Sequence, residues 1–128
     1  MATAKEEALA CHAKGYNCAQ SVLIANQSRT NFTEEEAAAI AAGLGGGARC
    51  RELCGAVNGA IITFGRSLQQ AGRSSEMTRI QKEYLNRFQS HFGALRCADL
   101  KAKRISCDDI ISYSAELTEE LLDEALKN

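Results

Sequence analysis

Apolar side chains fall at three- and four-residue intervals along most of the chain, the period of a helix that buries one face. Met77, Ile80, Tyr84, Phe88 and Phe92 form the longest such stripe, Ala19, Val22 and Leu23 a shorter one, and Ile110, Leu117, Leu121 and Leu122 a third. Polar punctuation brackets these stripes. Thr3 with Glu6, Thr33 with Glu36 and Ser106 with Asp109 have the spacing of a capping box, in which a hydroxyl and a carboxylate each satisfy a backbone amide of the first turn. Asn17 stands where it can cap a helix beginning at Cys18. The pattern predicts helices over about 4–14, 18–26, 34–43, 50–71, 75–92 and 107–126, with Gly15, Gly43, Gly72 and Gly93 as stops, and one short helical turn around 97–100. The expected fold is all-α, a compact single-domain bundle of about six helices spanning residues 1–128.

Composition agrees with that reading. A chain of 128 residues that is 45% apolar can bury one core. Proline is absent and aromatics are 5%, which disfavours a proline-punctuated β-sandwich. Fifteen basic against sixteen acidic residues give a net charge of -1, without the basic footprint that nucleic-acid binding requires. The most apolar stretch, from Gly55 to Gly65, is far below the roughly 20 residues needed to cross a bilayer, so no membrane insertion is expected. Lys5, Glu6, Glu7, His12 and Lys14 interrupt any apolar run of the kind an export signal needs, and a cytoplasmic location is expected.

Six cysteines under that expectation become the main chemical question, because reducing cytosol keeps thiols free unless they are catalytic, redox-sensing or metal-bound. The glycine run from Gly43 to Gly47 satisfies a dinucleotide fingerprint in form only, since a helix and not a strand precedes it, and reads as a tight interhelical turn. Beyond it, Cys50 and Cys54 are expected in the first turn of the fourth helix. There, unpaired amides and the positive dipole end favour thiolate, and the two sulfurs lie one above the other on one face. Gly55 and Gly59 repeat at four residues and permit a second backbone to come near, with Cys18, Cys97 and Cys107 as candidates for a thiol brought up to Cys54. No C-x-x-C, H-E-x-x-H or paired zinc spacing is present. His12 and His91 read as surface or satisfied core histidines, and the acids cluster where capping and solvation account for them.

The run Asn17-Cys18-Ala19-Gln20, the glycines Gly45-Gly46-Gly47, the hexapeptide Cys54-Gly55-Ala56-Val57-Asn58-Gly59, and then Cys97 and Cys107 together resemble the C_GCAxxG_C_C family, short helical proteins described as redox-active. The resemblance implies a redox set of Cys18, Cys54, Cys97 and Cys107, with Cys11 and Cys50 outside it. It implies thiol chemistry without naming a substrate. Because such proteins are often encoded near transporters or oxidoreductases, it points to a redox partner of one of those kinds.

Three readings follow. The first is thiol-disulfide exchange, with Cys54 trading electrons with Cys18, Cys97 or Cys107 and no cofactor required. The second is a binding module in which the same four cysteines hold an iron-sulfur cluster or a soft metal. The third is a structural helical bundle with incidental thiols.

Overall fold

A computed structural model describes residues 3–127 and bears out the all-α expectation. Eight helices follow in order: α1 (Ala4–Ala13), α2 (Cys18–Ala25), α3 (Gln27–Thr30), α4 (Glu34–Ala41), α5 (Gly55–Gln70), α6 (Met77–Phe92), α7 (Cys97–Ala102) and α8 (Cys107–Ala125). Six of them are the predicted helices and α7 is the predicted turn. The four-residue α3 carries too little periodicity to be read from sequence. None is long and apolar enough to cross a membrane.

The caps form as their chemistry requires. Thr3, Asn17 and Thr33 each accept from the amide three residues on, and Glu6, Gln20 and Glu36 return the bond to the cap residue's own amide. Ser106 accepts from the Asp109 amide at the start of α8. Such caps are each worth about 1 kcal/mol, and they fix where α2 and α8 begin, which matters because both helices begin with a cysteine.

Helix α2 lies against α5, and α1 against α2 and α8, so that α8 and α5 enclose the main core. Phe64, Tyr84 and Phe88 are fully buried in it, with Tyr84 edge-on to Phe64 and stacked on Phe88. Tyr84 can be so deep because its hydroxyl shares a hydrogen bond with Ser114 Oγ at 2.6 Å, and Ser114 donates in turn to the Ala56 carbonyl. A second cluster, with Ala19, Leu23, Ala37 and Ala41, joins α2 to α4 and takes in Cys11.

The fold departs from expectation between α4 and α5. The fourth predicted helix begins at Gly55 and not at Cys50, so Cys50 and Cys54 do not share a helical face. The reason is a left-handed turn. Gly46, Gly47, Ala48 and Arg49 have φ of 62, 64, 60 and 62°, Cys50 swings back to -131°, and Arg51 returns to 62°. Left-handed backbone costs a non-glycine residue roughly 1–2 kcal/mol, so Ala48, Arg49 and Arg51 must be held by their surroundings. Arg49 donates to the Ala42 carbonyl at 3.2 Å and the Glu52 amide to the Gly47 carbonyl at 3.0 Å. Gly47 has no alternative, since a Cβ there would lie 2.5 Å from the Glu52 carbonyl oxygen. The turn delivers Leu53 into an isolated antiparallel bridge with Arg96.

Candidate functional site

That bridge brings two cysteines together. The Cys97 amide donates to the Glu52 carbonyl at 2.6 Å and the Cys54 amide to the Leu95 carbonyl at 2.9 Å. Two segments more than forty residues apart are thereby laid side by side, with Cys54 just ahead of α5 and Cys97 at the first position of α7. Cys18 arrives from a third direction, at the first position of α2. It reaches Cys54 because Gly55 has no side chain: a Cβ on Gly55 would fall 2.3 Å from the Cys18 sulfur, and one on Gly59 2.7 Å from the Ala19 carbonyl oxygen. The expectation that the paired glycines admit a second cysteine-bearing segment is met, and the segment is α2.

Cys18, Cys54, Cys97 and Cys107 all line one cavity of about 200 Å³. Its walls are otherwise largely apolar, with Leu100, Ile105 and Ile110 facing the sulfurs, while His12, Asn17 and Lys101 supply polar groups. All the thiols are free. They differ in access. Cys54 and Cys97 are buried at 5% and 7% exposure, Cys18 is half-buried and Cys107 is exposed. Cys11 and Cys50 do not reach the cavity: Cys11 is buried with the second cluster, and Cys50 stands exposed on the left-handed turn.

The ionisation of Cys54 corrects an expectation. A position at a helix start was expected to favour the thiolate, yet burial pushes its thiol up to about 12, and the neighbouring Cys18 and Cys97 sulfurs push the same way. The Ala56 and Val57 amides pull it down, but no side-chain hydrogen bond caps α5. Desolvation therefore wins over the helix terminus. Burial likewise raises Cys11, with Glu34 adding to it.

Sequence reasoning set His12 aside as an isolated histidine. Its Nδ1 instead pairs with Asp108 Oδ1 at 2.7 Å, across 96 positions, and the ring lines the cavity. Lys101 was not singled out either. Nothing local in sequence marks either residue, since only the docking of α1 on α8 and of α7 beside the bridge brings them to the thiols. His91, by contrast, stacks on Tyr113 at 4.1 Å, a packing role in keeping with its sequence reading.

Among the described residues no group of three or more histidine, cysteine, aspartate or glutamate side chains is arranged to hold a metal ion. The four thiols nonetheless line one cavity. The arrangement can support exchange between neighbouring sulfurs, entered through an exposed thiol.

The comparisons with known proteins agree with the sequence resemblance. The family model described as "Putative redox-active protein (C_GCAxxG_C_C)" matches residues 16–121. No curated protein and no solved structure was found to match the chain.

Proposed function

The chain belongs to the C_GCAxxG_C_C redox-active family, and from that premise we propose that it carries out thiol-disulfide exchange at the four-cysteine cavity. The observation that carries this reading is that Cys18, Cys54, Cys97 and Cys107, from four separate segments, line one apolar cavity while Cys11 and Cys50 do not. A structural bundle with incidental thiols gives no reason for that selection.

Access divides the roles. Cys107, exposed at the start of α8, meets an external disulfide. Cys54 is buried and held as the neutral thiol, so it is poorly suited to attack a substrate from solvent. It suits the internal pair, forming a disulfide with Cys18 or Cys97, the two sulfurs that bear on its ionisation. The partner is an oxidoreductase or a transporter-associated protein that presents a disulfide or dithiol.

The test is turnover of a small disulfide by reduced protein. Cys54→Ser should abolish catalytic exchange, and Cys50→Ser should leave it within about twofold, since Cys50 is outside the cavity. Retained turnover in a folded Cys54→Ser protein removes Cys54 from the mechanism.

A further inference from the structure

A thiol in an apolar cavity needs somewhere to put its proton before it can attack. One histidine, His12, lines the cavity. His12 is bonded through Nδ1 to Asp108 at 2.7 Å, with the histidine side chain 33% exposed and the aspartate 66%. An imidazole that donates from Nδ1 to a carboxylate presents Nε2 as a lone-pair acceptor, and the same carboxylate stabilises the imidazolium formed when Nε2 takes a proton. Asp108 sits next to Cys107 in the first turn of α8, so one helix start carries both the exposed thiol and the residue that orients the histidine. Two elements are thereby fixed against each other at the cavity mouth, because α1 packs along α8.

The geometry points to His12 as the proton acceptor for the cavity thiols, with Cys107 the first it serves and Asp108 the positioning residue. The inference deepens the exchange reading and rests on it for its use, though not for its test. Cys107 gives its proton to His12 Nε2, and its sulfur attacks one sulfur of an external disulfide. One S–S bond forms and one breaks, and the leaving thiolate takes the proton from His12. A second cavity thiol then attacks the Cys107 sulfur and releases the partner's other sulfur as a thiol. The external disulfide is thus reduced by two electrons and two cysteines of this chain become a disulfide. The charged and titratable groups that share the cavity with His12 are Cys18 from α2, Cys54 ahead of α5, Cys97 and Lys101 from α7 and Cys107 from α8, with Asp108 bonded to it from α8. Lys101 favours any anion formed there, and Asp108 opposes it at short range while holding the base.

The experiment is alkylation of the reduced full chain by iodoacetamide, read at each cysteine by peptide mass spectrometry, with exposed Cys50 as the internal standard. In His12→Asn the Cys107 rate relative to Cys50 should fall about tenfold at pH 7. The deficit should close to within about twofold at pH 10, where an ordinary cysteine ionises without help. Asp108→Asn, which keeps the shape of the side chain, should lose a smaller part of the rate at pH 7. A Cys107 to Cys50 ratio unchanged at pH 7 in both folded variants overturns the inference and leaves the pair as a helix-to-helix tie. Because alkylation needs no exchange partner, a failure of the exchange reading would appear in disulfide turnover and leave this readout intact.

Discussion

Gly55 is where the packing of the cavity is most exposed to a single-atom test. A methyl group there would meet the Cys18 sulfur at 2.3 Å and the Leu44 carbonyl oxygen at 2.9 Å, against the roughly 3.5–4.0 Å at which heavy atoms pack comfortably. Helix α2 cannot move aside freely. The Asn17 side-chain Nδ2 donates to the Ala42 carbonyl at 3.1 Å, and one turn further on Gly59 is pressed against Ala19. Overpacking of this kind costs roughly 1–3 kcal/mol, offset by at most about 1 kcal/mol of helix propensity, and by less at the first position of a helix. Gly55→Ala should therefore destabilise by about 1–2 kcal/mol. Gly65 in the same helix has only Met77 Cε near its Cβ position, at 4.0 Å, so Gly65→Ala should stabilise by about 0.5–1 kcal/mol. Urea and thermal unfolding of both variants with reductant present give the comparison, and the gap of about 1.5–3 kcal/mol should appear as a thermal-midpoint difference of roughly 5–12 °C. Equal stability of the two variants, or a more stable Gly55→Ala, would refute the close approach of α2 to α5 and with it the means by which Cys18 reaches Cys54.

Stability should also depend on alkaline pH through Cys54. Its folded value of about 12 stands above the ordinary 9.0, so the protonated form's contribution is intact below about pH 9 and is lost as pH rises from there towards 12. The three-unit difference amounts to roughly 4 kcal/mol if fully expressed. Burial raises Tyr84 in the same direction, so the measurement is the difference in slope between the parent protein and Cys54→Ala between pH 8.5 and 10.5. Identical slopes would contradict the desolvation argument. Ser67 Oγ is buried without a hydrogen-bond partner among the described residues, and Ser67→Ala should be neutral or stabilise by up to about 1 kcal/mol in denaturant unfolding. A loss greater than that would mean the hydroxyl is satisfied after all.

What could be read in the sequence and what could not divide along the range of the interactions involved. Caps and stripes depend on residues three or four apart, so Thr3, Asn17, Thr33 and the Ile80-Tyr84-Phe88 face were legible directly. The glycine pair at 55 and 59 was legible as a close approach because no other residue type allows one. The left-handed run through Ala48 and Arg49 was not. Those residues favour right-handed helix on their own, and only bonds to Ala42 and Glu52 and the bridge to Arg96 hold them otherwise. Cys54 misled for a related reason. A helix start is a local feature that lowers a thiol's pKa, whereas the burial that raises it, and the Cys18 and Cys97 sulfurs that add to it, come from tertiary packing that no local pattern announces. His12 and Asp108 are the extreme case, since their pairing spans most of the chain.

The raised Cys54 thiol also bears on which chemistry the cavity can sustain. Burial penalises the anion, while a thiol and a disulfide are both neutral and suffer no comparable penalty in an apolar cavity. A buried cysteine that must persist as an isolated, uncompensated thiolate would work against its own surroundings here. A pair of such cysteines that passes between dithiol and disulfide needs the anion only in transit. The division between exposed Cys107 and buried Cys54 and Cys97 then has a use: charge is handled at the mouth, beside His12 and Lys101, and the two-electron oxidation is held as a neutral disulfide behind it. On this argument the internal disulfide, once formed, should yield to a small thiol such as glutathione far more slowly when Cys107 is replaced by serine, because the buried sulfurs are then approached only through the cavity. An equal rate of reduction with and without Cys107 would break the division of roles between mouth and interior.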